Sequence, residues 1–389
     1  MLSEIAFWTS SGVLAWVYAG YPAAAAALAR VRPVVLSATA PPPTLTVAIA
    51  VHDEAEHIAA RIDDALAQAG SGAPLVEVLI GSDGSTDGTE AIVTAYAARD
   101  PRVHLLALPR SGQTSTQAAL FAAANGEAVV LTDAETRFAA GCLAALAEAL
   151  RDPRVGCVTG RLEWRDEAAT ATSTQEGLYW RYERRIRELE SKAGLLTAVT
   201  GALLAVRSSA YRAVPPSASM DHLLPLFIRE QGGLVVYVAD AVANDRPISG
   251  IREQFRNRSR TATRGIAANL SMVRRLNPVR HPGAALGMWS HKLLRWATPW
   301  FVIVVAAAGL IAGLGGQPVY LVAPLAVAGL ALTAAAGHLL IGAGRHPWRA
   351  VTFVRSFAVV NIAFATGWLN VIRGREIEVW HRAEWRAEN

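Results

Sequence analysis

The chain has 389 residues, of which 52% are hydrophobic and only 18% charged, with a formal net charge of +5. That balance leans apolar for a wholly soluble protein. Its two cysteines, Cys142 and Cys157, lack the spacing of a zinc site or a disulfide framework and read as buried thiols. The basic clusters Arg181–Arg187, Arg252–Arg275 and Arg345–Arg355 suit anionic lipid or a phosphorylated substrate, and with no nucleic-acid-binding module beside them nucleic acid is not an expected partner.

The apolar excess lies at the two ends. From about Phe7 to Leu28 there is no formal charge, over a length that crosses a hydrocarbon core. No basic segment precedes it, as a cleaved signal peptide would require. Arg30 and Arg32 follow, so the positive-inside rule puts the next domain in the cytoplasm. Residues 33–43 form a proline-rich linker that cannot continue the helix.

Residues 44–250 read as an α/β domain. Leu45–Val51, Val76–Ser82, Val103–Ala107 and Ala128–Thr132 are expected strands, with helices over Glu54–Ala69, near Thr89–Ala98 and around Thr116–Ala124. Such alternation implies a mostly parallel sheet with helical crossovers. Ligands then bind beyond the carboxyl ends of the strands. Asp53 and Glu54, Asp83, and Asp133 and Glu135 all occupy such ends.

The same segments carry a family resemblance. Val47-Ala-Ile-Ala-Val-His-Asp-Glu-Ala-Glu-His-Ile58 and Ser82-Asp-Gly-Ser-Thr-Asp-Gly-Thr89 resemble the first two motifs of family 2 glycosyltransferases. Leu131-Thr-Asp-Ala-Glu-Thr136 resembles their metal-binding Asp-x-Asp. The similarity continues, in order, through Trp180-Arg-Tyr-Glu-Arg184, Thr200-Gly-Ala202 and Met220-Asp-His222, and touches Tyr18-Ala-Gly-Tyr-Pro22 and Trp380-His-Arg382. It implies a GT-A fold, Rossmann-like, on the cytoplasmic side of a bacterial inner or plasma membrane. It also implies transfer of a sugar from a nucleoside-diphosphate sugar, a UDP-sugar being the first expectation, to a lipid-linked or saccharide acceptor.

By this resemblance Asp53, Glu54 and Asp83 line the nucleotide pocket, and Asp133 and Glu135 hold Mn²⁺ or Mg²⁺. Hard divalent cations take such oxygen donors, although the family usually has Asp where Glu135 stands. Asp221 stands where the family has the base that deprotonates the acceptor, and a single base suits inverting transfer; an N-terminal cap of the following helix is its other reading. Arg258, Arg260 and Arg264 suit a diphosphate or lipid phosphate, or equally a basic membrane-facing helix.

Three departures stand out. Ser82 replaces the first acid of the usual pair, and Ser111–Gln117, with Gln113, lacks the Gly-Lys found in many relatives. Around Arg256–Gly265 neither Gln nor Trp occupies its place in the Gln-x-x-Arg-Trp of processive enzymes. The missing motif weakens the case for a processive polysaccharide synthase, which remains one competing reading; the other departures make an inactive membrane scaffold with this fold the second.

Residues 251–292 read as basic interface helices, with Trp164–Lys192 as another amphipathic stretch. Two spans follow within 293–343, Trp296–Leu314 and Val319–Ile341. The segment 344–389 holds a last apolar stretch, about Val351–Ile372, read as interfacial or re-entrant because Arg355, Asn361 and Asn370 interrupt it and arginines follow it.

Overall fold

The computed structural model describes residues 1–164, 171–245, 251–345 and 347–375. One eight-stranded sheet forms the centre, in the order β3-β2-β1-β4-β7-β6-β8-β5. Its strands are β1 (Leu45–Val51), β2 (Leu75–Asp83), β3 (Val103–Leu108), β4 (Ala128–Thr132), β5 (Arg137–Phe138), β6 (Val155–Trp164), β7 (Leu204–Arg207) and β8 (Leu234–Asp245). The first four are mutually parallel, with β1 between β2 and β4. Beyond β4 the sheet turns mixed: β7 runs antiparallel to β4 and β6, and β8 runs parallel to β6.

Alternate residues of β1 explain why both faces are covered. Leu45, Val47, Ile49 and Val51 pack with Ile58, Ile62, Leu143 and Leu146, while Ala48 and Ala50 pack on the opposite face with Leu120, Leu223 and Leu224. A strand buried on both faces reads as a continuous apolar run. The two layers bring the helices Ile58–Ala67 and Cys142–Ala149 to one side, and Gln113–Ala123 and Met220–Glu230 to the other. Cys142 and Cys157 are buried and unbridged, and burial pushes the Cys142 thiol up to about 12.

The expected elements of the first half are present, with one shift. The first helix begins at Ile58 rather than Glu54, because residues 53–57 form a turn held by other bonds.

At the ends of the chain, three helices among the described residues are long and apolar enough to cross a membrane: Leu2–Val31, Pro318–Gly342 and Arg349–Ile372. Pro282–Trp296 and Thr298–Leu314 meet that test only as a pair bent by 59°. The expected span Trp296–Leu314 is thus mostly the second limb of a broken helix. Pro299 accounts for the break, since its ring displaces the carbonyl four residues earlier. The last apolar stretch forms one unbroken helix, Arg349–Ile372. Asn361 donates to the Phe357 carbonyl within this helix (2.9 Å), and Asn370 to Thr263 Oγ1 on the helix Ile251–Met272 (3.2 Å). Trp380-His-Arg382 lies outside the described residues, as do the side chains of Tyr179 and Trp180.

Candidate active site

The carboxyl ends of β1 and β2 are laced together by the Gly84–Thr89 loop. Three consecutive backbone N–H groups of the turn after β1 donate into it: Asp53 to Ser85 Oγ (3.1 Å), Glu54 to Thr89 Oγ1 (2.9 Å) and Ala55 to Asp87 Oδ2 (2.9 Å). In return the Thr86 N–H donates to Asp53 Oδ1 (2.7 Å). Asp53 adopts a left-handed φ of 52°, a conformation that Asp tolerates better than most residues. Gly84 has a φ of 66°, and a β-carbon there would stand 3.1 Å from the Arg110 nitrogen. Asp87 Oδ1 accepts the Thr89 N–H (3.1 Å). Burial opposes its ionisation, but the Thr89 hydroxyl and the backbone N–H donors outweigh this and lower its pKa.

Asp83 is completely buried, and its carboxylate is held by the segment after β3. Oδ1 accepts the Ser111 N–H (2.6 Å) and the Gly112 N–H (3.1 Å), and Oδ2 pairs with Arg110 Nη1 (3.0 Å). The His52 ring contacts the Asp83 carbonyl (2.9 Å). Ser82, where the family pattern has an acid, instead donates to Glu90 Oε1 (2.6 Å) and stays buried.

At the end of β4, Glu135 is brought to Glu54 and His57. One ligand atom from each of these three lies within 4.8 Å of the others. Asp133 is not in that group; its Oδ1 lies 3.5 Å from Gln113 Nε2. Gln113, noted in the sequence as a departure, therefore faces the acidic turn directly. Arg137 donates to the Ala134 (2.7 Å) and Thr136 carbonyls (3.1 Å), fixing the backbone between and beside the acids. Arg61 is fully buried, lies over the Phe138 ring, and donates to Thr132 Oγ1 (3.0 Å). Burial pulls its guanidinium down to about 10, still cationic at neutral pH.

The oxygen donors with one imidazole fit a divalent metal. Carboxylates suit Mg²⁺ and Mn²⁺ alike, and imidazole tilts the set toward a transition metal. His57 escaped the sequence reading, although its place three residues after Glu54, entering a helix, is the spacing that sets two side chains side by side.

Asp221 lies on a different element. It is in the first turn of Met220–Glu230, and the cap position belongs to Ser219. Asp221 Oδ1 is 3.2 Å from His222 Nδ1. A β-carbon at Gly201 would stand 3.3 Å from Asp221 Oδ2, so the Thr200-Gly-Ala202 backbone abuts the carboxylate. Burial opposes its ionisation. His222, the Ser219 hydroxyl and Arg264 more than offset this and hold the carboxyl well below the usual range.

Of the three expected arginines on Ile251–Met272, Arg264 joins this cluster, donating to Thr114 Oγ1 (2.9 Å) and the Ala218 carbonyl (2.6 Å). Arg260 donates to Asn257 on the exposed side of the same helix (3.1 Å). Arg258 lies on that helix too, one residue before the buried Ser259.

Comparison with known proteins bears on this geometry. Residues 46–214 match the model described as "Glycosyl transferase family 2". An N-acetylglucosaminyltransferase of Rhizobium meliloti (strain 1021) is 27% identical over 265 residues, 60% of this chain and 62% of its own length. An N-acetylglucosaminyltransferase of Rhizobium leguminosarum bv. trifolii is 33% identical over 91 residues, 23% of this chain and 50% of its own length. The chain thus spans between half and two thirds of these curated relatives. A mannosyltransferase from Pyrobaculum calidifontis, solved in complex with GDP-Man and Mn²⁺, shares the fold. Its TM-score is 0.68 at 22% identity, over 97% of this chain and all of that one.

Proposed function

Because this chain carries, over residues 46–214, a domain of glycosyltransferase family 2, we propose that it moves a sugar from a nucleoside-diphosphate sugar to a membrane-associated hydroxyl acceptor, with inversion at the anomeric carbon. The observation that carries this reading is the pairing of two unlike sites. Glu54, His57 and Glu135 converge beyond the ends of β1 and β4, and Asp221, a carboxylate kept ionised, lies on another element, the helix Met220–Glu230. Such a carboxylate takes the proton of an attacking hydroxyl in one displacement, without a second nucleophile.

Asp53 and Glu54 line the nucleotide pocket in this proposal, and Asp83 acts there by fixing Arg110, Ser111 and Gly112. Asp133 and Glu135, joined by Glu54 and His57, would hold Mn²⁺ or Mg²⁺. Such an ion, when bound, neutralises charge on the departing diphosphate. Arg264, anchored between Ala218 and Thr114, adds a fixed cation near Asp221; Arg258 and Arg260 supply charge for a phosphorylated or lipid-linked acceptor. The donor is expected to be a UDP-sugar, and the names of the curated relatives favour an N-acetylglucosaminyl group.

The apolar helices support a membrane-associated acceptor. Ile303, Ile311, Leu314, Val319, Val322 and Leu325 are exposed on them. Phe7, Trp8 and Tyr320 form an edge-to-face cluster, with Trp8 Nε1 donating to Tyr320 Oη (3.1 Å), as aromatic belts do at the headgroup level. Arg30, Arg32 and Arg345 flank the opposite helix ends, which would set the sheet on the cytoplasmic side.

The test is turnover of a panel of nucleoside-diphosphate sugars by the full chain in membranes supplied with Mn²⁺ or Mg²⁺. Release of nucleoside diphosphate coupled to labelling of a lipid-extractable product supports the reading. Binding without any turnover across the panel sinks it.

A further inference from the structure

Behind Asp221 lies a buried charged cluster that the chemistry above does not use. Glu183, on the helix Ala171–Ala193, is 4% exposed. Its Oε2 accepts from Arg295 Nη1 (2.7 Å), and its Oε1 faces His291 Nε2 (3.1 Å), Arg187 Nε (3.6 Å) and Lys292 Nζ (3.7 Å). The other ring nitrogen of His291 meets Glu190 (2.8 Å), which also accepts from the Tyr21 hydroxyl of the N-terminal helix. His291 and Lys292 sit in a π-helical stretch, Met288–Leu293. A second π turn, Trp16–Gly20, meets it through Trp16 Nε1 and Ser290 Oγ (3.0 Å). Wide turns of this kind are rare and gather at functional places.

Two routes lead from Glu183 to the site. Arg187, one turn along, donates to Thr200 Oγ1, and the Thr200-Gly201 backbone abuts Asp221. Arg295 precedes Trp296, whose ring lies 6.3 Å from that of His222. Both rings press on Gly265, where a β-carbon would stand 2.4 Å from the Trp296 ring and 2.8 Å from His222 Nε2. An apolar cluster would join these helices at a lower desolvation cost, so the charges are better explained by orientation than by stability.

We infer that Glu183 is a positioning residue, which locks the apolar helices to the two backbone segments that aim Asp221. The inference rests on the reading of Asp221 as the base. A carboxylate displaced by even an ångström loses much of its effect on the chemical step, while donor binding at the ends of β1 and β2 is untouched.

The experiment compares wild type with Glu183→Gln, which keeps shape and removes charge, in full-length protein in membranes. Turnover is expected to fall by about ten- to a hundredfold in kcat, with the donor KM within about twofold. Hydrogen exchange is read in parallel, independently of activity. Peptides over 197–203 and 219–224 should exchange at least about threefold faster, with those over β1–β4 unchanged. Should Glu183→Gln fail to fold, Thr200→Val cuts one route alone and should lower kcat in the same direction. The inference is overturned if kcat and exchange match wild type, or if the donor KM rises while kcat holds. If wild type itself turns over no donor, the catalytic reading falls, and the exchange data alone decide whether Glu183 holds these segments.

Discussion

The two halves of the sheet solve the same problem, holding a carboxylate still, in different ways. On the parallel side, Asp53, Asp83 and Asp87 each accept backbone N–H groups of neighbouring loops, with the Arg110 guanidinium added at Asp83 and the Thr89 hydroxyl at Asp87. On the mixed side, Asp221 is held by side chains: His222 beside it, Ser219 before it, and Arg264 from a helix about forty positions on. Backbone donors come with the loop and need few particular residues. Side-chain donors must be supplied by distant elements, each aimed by its own contacts. In the proposed reading, the donor half is therefore a property of the motif, and the acceptor half a property of the whole chain.

The largest effect expected from this contrast is on the acceptor side. Asp221→Asn should lower kcat by about 10² to 10⁴-fold, the usual worth of a general base, with donor affinity held within a few-fold. Calorimetry with a non-transferable nucleotide separates the two quantities. Equal losses of binding and turnover would move Asp221 into the donor half and erase the division.

A somewhat smaller effect is expected where the halves meet. Glu135→Gln should cost about a hundredfold in turnover, and His57→Gln about ten- to a hundredfold, as for groups that tune a bound metal. The sharper readout is metal preference. Removing the imidazole should lower activity with Mn²⁺ more than with Mg²⁺, since imidazole favours the former. An unchanged Mn²⁺ to Mg²⁺ ratio in His57→Gln would leave the metal to the carboxylates Glu54, Asp133 and Glu135.

Asp83→Asn probes the backbone grip itself. It removes a buried charge that accepts from Arg110, Ser111 and Gly112. A loss of about 1–3 kcal/mol in stability is expected, measured as a lower midpoint of denaturant unfolding, together with weaker nucleotide binding. A stable variant with intact binding would mean that the 110–112 segment is fixed by other bonds.

The same contrast explains what could be read from the sequence. The strands β1 to β4 and their terminal acids were legible because a continuous apolar run ending in a polar turn has few alternatives in a parallel sheet. The precise partners were not. Nothing in Asp-Gly-Ser-Thr-Asp-Gly announces that Ser85, Asp87 and Thr89 each receive one N–H from residues 53–55, because that pairing exists only once β1 and β2 lie side by side. The break before Pro299 was visible in the residue but obscured by unbroken hydropathy around it. The burial of Glu183 and His291 was hidden altogether, since a basic amphipathic helix looks alike whether its charges face water or one another.

The smallest effect is a shift rather than a loss. Asp221 is ionised below the ordinary carboxylate range because His222, Ser219 and Arg264 outweigh burial. Its deprotonated form therefore persists as pH falls from neutrality past about 4, and the acid limb contributed by this group lies below that value. The linkage to stability has the same sign: ionised Asp221 favours the folded state above about pH 3.9, and this is lost as pH falls through the depressed value. Arg264→Gln takes away one cation and leaves burial in place, so the carboxyl must rise. The acid limb of kcat, normalised to each protein's own plateau, is expected to move upward by about one pH unit. The equivalent limb in Asp83→Asn should not move, because the groups that set the Asp221 carboxyl are His222, Ser219 and Arg264. A shift in both variants would show the two carboxylates to be electrically joined, and the division between backbone-held and side-chain-held acids would then describe geometry alone.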